Sequence, residues 1–95
     1  MNDLELSRKL ALAIGYREHH AQDHGTNALW VLRNSNWKMF DYRDWNVIGP
    51  IAQRYDCFPY KWNGFWEPMG TDTYVYADTP QQAIALAVIN QGAGK

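Results

Sequence analysis

The sequence predicts one small α+β domain, with an antiparallel sheet of about four to five short strands packed with three helices, in the order α-β-β-α-β-β-β-α. Segments with helical spacing of apolar residues lie at both ends and in the middle of the chain. Short runs rich in aromatic and β-branched residues lie between these segments, and turn sequences join the runs directly. Because 95 residues have material for one hydrophobic core, residues 1–95 are predicted to form one domain.

The first helix is predicted over residues 2–14, where Asn2 is a good N-cap and Glu5 follows at the spacing of a capping box. A middle helix is predicted over about residues 46–55. It contains Pro50, which we expect in the first helical turn, because the missing N–H of proline loses little there.

The last helix has the clearest start. Thr79 is the predicted N-cap, Pro80 occupies the first helical position with its φ already set, and Gln82 completes a capping box. Apolar residues cover most faces of this helix, which is therefore predicted to be largely buried. Gly92 is expected to end the helix, and residues 93–95 are expected to fray.

The first hairpin is predicted from two short strand-prone runs. Residues 28–33 and residues 37–40 flank the turn composition of residues 34–36. A further strand is predicted over residues 73–76. Such short strands with direct connections favour an antiparallel sheet.

The second hairpin has a strong local signal. Asn63-Gly64, the preferred pair of a type I′ turn, lies between residues 58–62 and 65–69. A two-residue loop predicts the facing pairs Trp62 with Phe65, Tyr60 with Glu67, and Lys61 with Trp66. The aromatic side chains predicted to join the core are Phe58, Tyr60, Trp62 and Phe65.

Composition and charge limit the possible functions. Nine Lys and Arg against ten Asp and Glu give a net charge of −1, so nucleic acid is an unlikely partner by charge. No apolar run is long enough for a transmembrane helix, and the acidic, amphipathic N-terminal segment is unlike a secretory signal. Cys57 is the single cysteine, so no internal disulfide forms and a buried thiol in a cytosolic setting is expected.

Four motifs of the chain resemble a family of small tailed-phage accessory proteins with a phage α-β-α sandwich domain, similar in outline to the NinX-like phage proteins. The motifs are Ala13-Ile14-Gly15-Tyr16, Phe40-Asp41-Tyr42-Arg43-Asp44, Ile48-Gly49-Pro50-Ile51 and Tyr76-Ala77-Asp78-Thr79-Pro80-Gln81-Gln82-Ala83-Ile84-Ala85-Leu86-Ala87. The resemblance covers roughly residues 4–90. It implies a phage-encoded accessory protein of unknown activity and supplies no catalytic residue.

The three histidines lie in one short stretch, within a segment (residues 15–27) that is predicted to be a variable loop. In a helix, His20 and His24 would share one face and could bind a zinc ion, with Asp23 or Glu18 as a carboxylate ligand. Gly15 argues against a helix here, so we expect a solvated loop, with no metal and no cofactor. Asp41 and Asp44 are interpreted as turn or cap residues and not as catalytic acids.

Several aromatic residues have no obvious place in so small a core. The residues predicted to bind a partner are Trp66, Lys61, Trp45, Tyr42 and Arg43. Trp37 and Tyr74 are two further aromatic residues without an obvious place in the core. Aromatic and Arg side chains together form hot spots of protein–protein interfaces, and aromatic platforms with cations bind single-stranded nucleic acid. A third explanation is that a small domain leaves some aromatics uncovered.

The resemblance and these residues together predict a phage-encoded, non-catalytic protein of the host bacterial cytoplasm. It is expected to modulate or inhibit a host bacterial protein, with a defence component of the CRISPR type as one candidate, which would make it an anti-CRISPR protein. The alternative is a weak single-stranded nucleic-acid-binding protein of phage replication or transcription. A metal-dependent enzyme built on His20, Asp23 and His24 is a third hypothesis, and a homodimer through an aromatic hairpin edge is open.

Overall fold

The computed structural model of the chain describes residues 2–23, 25, 28–62, 65–68 and 77–92, with the backbone alone for residues 60–62, 65 and 67–68. Its helices are α1 (Asp3–Ala13), α2 (Trp45–Tyr55) and α3 (Pro80–Gly92). Its strands are β1 (Ala21–Gln22), β2 (Trp30–Arg33), β3 (Asn36–Met39), β4 (Pro59–Trp62) and β5 (Phe65–Pro68). The predicted α+β fold with three helices is therefore confirmed.

In the described part of the chain the strands form two sheets, so the prediction of one sheet with four to five strands is not borne out. One is a three-stranded antiparallel sheet in the order β1-β2-β3, and the other is the hairpin β4–β5. Both strands of this hairpin pack against α3. The strand predicted over residues 73–76 lies outside the described residues.

Part of the segment predicted to be a variable loop forms regular secondary structure. Residues Glu18–His20 form one turn of 3₁₀ helix, and β1 follows at once. The side chain of Ala21 is fully buried and faces Val31 across the β1–β2 pair. Burial of this small side chain holds β1 at the edge of the sheet, which the polar composition of the segment did not predict.

The predicted helix ends are confirmed. Asn2 Oδ1 accepts a hydrogen bond of 2.8 Å from the N–H of Glu5, and Gly15 has φ +115° just after α1. At α3, the hydroxyl of Thr79 accepts a 3.1 Å bond from the N–H of Gln82. The Gln82 side chain accepts a hydrogen bond from the N–H of Asp78. In a capping box the donor would be the N–H of Thr79, one residue later.

Pro50 is the sixth residue of α2, so its predicted place in the first turn is wrong. The helix begins at Trp45, because the Asp44 side chain accepts a 2.9 Å hydrogen bond from the N–H of Asn46 and caps it. Pro50 lies on the exposed side of the helix. The opposite side is anchored in the core by the buried residues Ile48, Ile51 and Ala52.

Helix α3 lies at the centre of the domain, and α1, α2 and the β4–β5 hairpin all pack on it. Its high burial was predicted and is confirmed by the buried residues Ala83, Ile84, Ala85, Ala87 and Val88. Small alanine side chains let neighbouring elements approach the helix on several sides. This arrangement leaves the three-stranded sheet at the side of the domain, where β1 is its main contact with α1.

Candidate protein-binding surface

Tyr42 is buried, which corrects its predicted position among the exposed aromatics. Only 3% of the residue is accessible. Its backbone N–H donates a 3.2 Å hydrogen bond to the hydroxyl of Ser7, and its phenol donates one of 2.5 Å to Asp3. Burial, and then the hydrogen bond to Asp3, raise the pKa of the Tyr42 phenol. In the free protein, Tyr42 is therefore a core residue that joins two distant segments.

Arg43 is exposed but is held by two carboxylates. Its guanidinium forms ion pairs of 2.8 Å with Asp41 and 3.1 Å with Asp3. The hydrogen bonds to Arg43 lower the pKa of the Asp41 carboxyl, and the same bonds raise the pKa of the Arg43 guanidinium. A partner carboxylate would have to compete with both of these groups.

Trp45 and Trp66 differ in exposure. Trp45, at the first position of α2, is 52% exposed, whereas Trp66 is half-buried and bonded through its backbone to Ala77 at 2.9 and 3.1 Å. Lys61 faces Trp66 in the β4–β5 pair as predicted, and its side chain lies outside the described atoms. Phe58, predicted to be core, is 49% exposed, because it precedes β4 and does not enter the hairpin.

The predicted residues do not form one continuous site in the described part of the chain. Gln81 near the start of α3 donates a 3.3 Å hydrogen bond to the backbone carbonyl of Arg43. Trp66 is bound to Ala77, just before the same helix. Both segments are thus anchored at the start of α3, yet no described hydrogen bond, ion pair or ring contact joins Trp66 to Arg43 or Trp45.

The proposed metal ligands are divided between described and undescribed residues. His24 lies outside the described residues, while the rings of His19 and His20 lie 4.0 Å apart. Asp23 accepts a 3.0 Å hydrogen bond from the N–H of Gly25, as in an Asx turn. Among residues 2–23, 25, 28–62, 65–68 and 77–92, no group of three or more His, Cys, Asp or Glu is placed to hold a metal.

Cys57 is a buried thiol, as predicted. Its S–H donates to the carbonyl of Tyr55 at 3.2 Å, and the amide of Gln91 donates to its sulfur at 3.0 Å. Burial raises the pKa of the Cys57 thiol. Burial outweighs the hydrogen bond from Gln91, which acts in the opposite direction, and so favours the neutral, weakly reactive thiol.

The hairpin β2–β3 has an apolar outer side that the sequence did not reveal. Its register pairs Trp30 with Met39 and Leu32 with Trp37, so these four side chains lie on one side of the sheet. The other side carries the buried residue Val31. We call the four residues Trp30, Leu32, Trp37 and Met39 the outer face.

The outer face is partly open to solvent. Trp37 is 39% exposed and Met39 53% exposed, and Trp30 and Leu32 beside them are half-buried. None of the four belongs to the hydrophobic core of the described residues or to the side chains packed against it. Large apolar side chains grouped on one exposed sheet face are typical of a protein-binding surface.

The comparisons with known proteins give no relative. No family model, no curated protein and no solved structure matches the chain. Within the described residues, no helix is long and apolar enough to cross a membrane. The resemblance to phage accessory proteins therefore stays a prediction, and the functional argument depends on the geometry of the surfaces.

Proposed function

We propose that this chain is a non-catalytic binding protein that docks on another protein through the outer face of hairpin β2–β3. The observation that carries the proposal is the exposure of Trp37 and Met39 on one side of the same strand. With Trp30 and Leu32 alongside, they form a group of four large apolar side chains outside the core.

The side chains of the outer face are of the kind that contributes most to binding when a partner covers them. Burial of apolar surface is worth about 25 cal/mol per Å², and Trp and Met are enriched at the centres of interfaces. A single exposed Trp would need no explanation. Four neighbouring apolar side chains on a regular sheet present a continuous apolar surface, and the two Trp side chains lose little side-chain entropy when a partner covers them.

The proposal that the partner is a host bacterial protein comes from the sequence motifs. Their resemblance to small tailed-phage accessory proteins suggests a phage-encoded protein that works in the host bacterial cytoplasm. Its partner would then be a host bacterial protein, which the docked domain obstructs, and a defence effector of the CRISPR type is the specific candidate. This part of the proposal depends on the resemblance alone.

A second candidate function is weak binding of single-stranded nucleic acid. Three exposed cations, Arg33, Lys38 and Arg54, line one groove of the domain and favour an anionic ligand. This function predicts affinity that falls steeply with rising salt concentration. Docking through an apolar face predicts affinity that depends little on salt.

The test is a tagged pull-down from host lysate at low and high salt. Wild type is compared with a Trp37→Ala, Met39→Ala double variant and with Trp45→Ala, a control that removes another exposed Trp outside the outer face. We expect one bacterial protein to be retained at both salt concentrations by wild type and Trp45→Ala, and to be lost by the double variant. The captured protein, once purified, should form a stoichiometric complex with wild type.

Two results would contradict the proposal. Equal retention by all three proteins would remove the outer face from the interface. Loss of the partner in Trp45→Ala alone would move the interface to the segment that the sequence predicted. Nucleic acid released at high salt, with no retained protein, would favour the second candidate function.

A further inference from the structure

A groove of about 640 Å³ lies between α2 and the core-facing side of hairpin β2–β3. Its lining continues onto Ile14, Gly15 and Tyr16, the residues that follow α1. This side of the hairpin is opposite to the outer face, since Val31 and Lys38 pair on it while Trp30 and Met39 pair on the other. Met39 is the one outer-face residue that also lines the groove, whereas Trp30, Leu32 and Trp37 do not. The volume of the groove lies in the range of ligand-binding clefts.

The base of the groove is apolar and well anchored. Val31 and Phe40 from the hairpin and Ile51 from α2 line it, and all three are buried core residues. Val47 lines the same wall of α2 and is half-buried. Such a base offers aliphatic contacts on fixed elements, so a ligand would not have to order the protein when it binds.

The charges of the groove all have one sign. Arg33 and Lys38 project from the hairpin and Arg54 from α2, and no carboxylate is among the lining residues. All three cations are exposed. In the described part of the chain, both ion pairs involve Arg43 and neither involves these three residues. Because the whole chain has a net charge of −1, this positive charge is local to the groove.

The aromatic rings of the groove already have partners. Tyr16 lies edge-on to Phe40 with ring centroids 6.0 Å apart, and the Arg54 guanidinium lies 5.5 Å from the centre of the Tyr55 ring. A nucleic-acid strand would need free ring faces on which its bases could stack. Aliphatic walls with cations at the rim fit the side chains of an acidic peptide better.

From this complementarity of charge and shape, we propose that the groove binds an acidic peptide segment that carries aliphatic side chains between its carboxylates. The aliphatic side chains pack against Val47 and Ile51, and the carboxylates pair with Arg33, Lys38 and Arg54. Both walls of the groove carry positive charge, which an anionic segment complements. The proposal is independent of docking through the outer face.

The test uses fluorescein-labelled short peptides in which Asp or Glu alternates with Leu, Ile or Val. Peptides with Lys in place of every acidic residue and a labelled oligo(dT) strand are the comparison probes. Binding is measured by fluorescence anisotropy to wild type, to an Arg33→Glu, Lys38→Glu, Arg54→Glu variant, and to Arg8→Glu. Arg8 is an exposed cation of α1 outside the groove, so Arg8→Glu controls for the reversal of one charge elsewhere on the surface.

We expect the acidic peptides to bind wild type, and the triple charge reversal to weaken them by at least about tenfold, whereas Arg8→Glu weakens them by less than about twofold. Amide shifts of Val47 and Ile51 on titration should place the peptide in the groove, and unchanged thermal midpoints would show that the variants fold. The proposal is overturned if the Lys peptides bind as well as the acidic ones, or if neither binds. Binding of oligo(dT) alone would assign the groove to nucleic acid instead.

Discussion

The phenol of Tyr42 donates a 2.5 Å hydrogen bond to Asp3, a residue 39 positions earlier in the chain. Asp3 also pairs with Arg43 at 3.1 Å, so the first turn of α1 is tied to the segment before α2 by two side chains. These contacts explain why Tyr42 is part of the core. Tyr42 therefore has a structural role, whereas Trp45, three residues later, is exposed.

Loss of the Tyr42 hydroxyl should destabilise the protein. Tyr42→Phe leaves the Asp3 carboxylate without this donor, and we expect the free energy of unfolding to fall by about 1–2 kcal/mol. Trp45→Phe removes no described contact and should change it by less than about 0.5 kcal/mol. Urea denaturation of both variants checks this, and equal effects would contradict the structural role of Tyr42.

Stability should fall at acid pH partly through Asp41. Its pKa is lower in the folded protein than its ordinary value of 3.8, because Arg43 hydrogen-bonds the ionised carboxylate. The resulting stabilisation is fully present above the unfolded pKa and is lost as the pH falls through the folded pKa. Asp41→Asn should therefore lose less stability than wild type between about pH 5 and about pH 2. Parallel pH profiles in denaturant melts would refute the assignment.

The two sides of hairpin β2–β3 should respond differently to truncation. Val31→Ala creates a cavity in the core and should cost about 2 kcal/mol. Met39→Ala, on the outer face, should cost less than about 0.5 kcal/mol because more than half of Met39 is already exposed. Chemical denaturation measures the free energy of unfolding of both variants. A larger loss for Met39→Ala than for Val31→Ala would mean that the outer face, and not the Val31 side, faces the core.

Replacement of Pro50 should stabilise the domain. A proline at the sixth position of α2 removes one hydrogen bond to the turn before it and crowds the carbonyl of Asn46. Pro50→Ala restores this bond, but it also raises the conformational entropy of the unfolded chain, which offsets part of the gain. We therefore expect the free energy of unfolding to rise by about 1–2 kcal/mol. Gln53→Ala, at another exposed position of the helix, is the control, and no gain in thermal midpoint for Pro50→Ala would contradict this account.

Local signals predicted the parts of the fold that depend on near neighbours. The caps at Asn2 and Thr79 were predictable because each needs one side chain and a backbone N–H within the same turn. The cross-strand pair of Lys61 and Trp66 was predictable because a two-residue turn sets the register of its hairpin. The three-helix α+β class followed from the periodicity of these segments.

The surfaces could not be predicted in the same way, because they depend on distant contacts. Strand β2 carries apolar residues on both sides. In β3 the alternation favours burial of Trp37 and Met39, which the structure leaves exposed. The burial of Tyr42 depends on Ser7 and Asp3, which are far away in sequence. The addition of β1 to the sheet depends on the burial of Ala21, which its polar neighbours hide.

The central claim is that a partner protein covers the outer face of hairpin β2–β3. Its most direct test is site-specific photo-crosslinking in host cells, with Trp37→p-benzoylphenylalanine compared with Trp45→p-benzoylphenylalanine. The account predicts one bacterial protein joined to the chain from position 37 and not from position 45. A crosslink from position 45 alone, or no protein crosslinked from position 37, would contradict it.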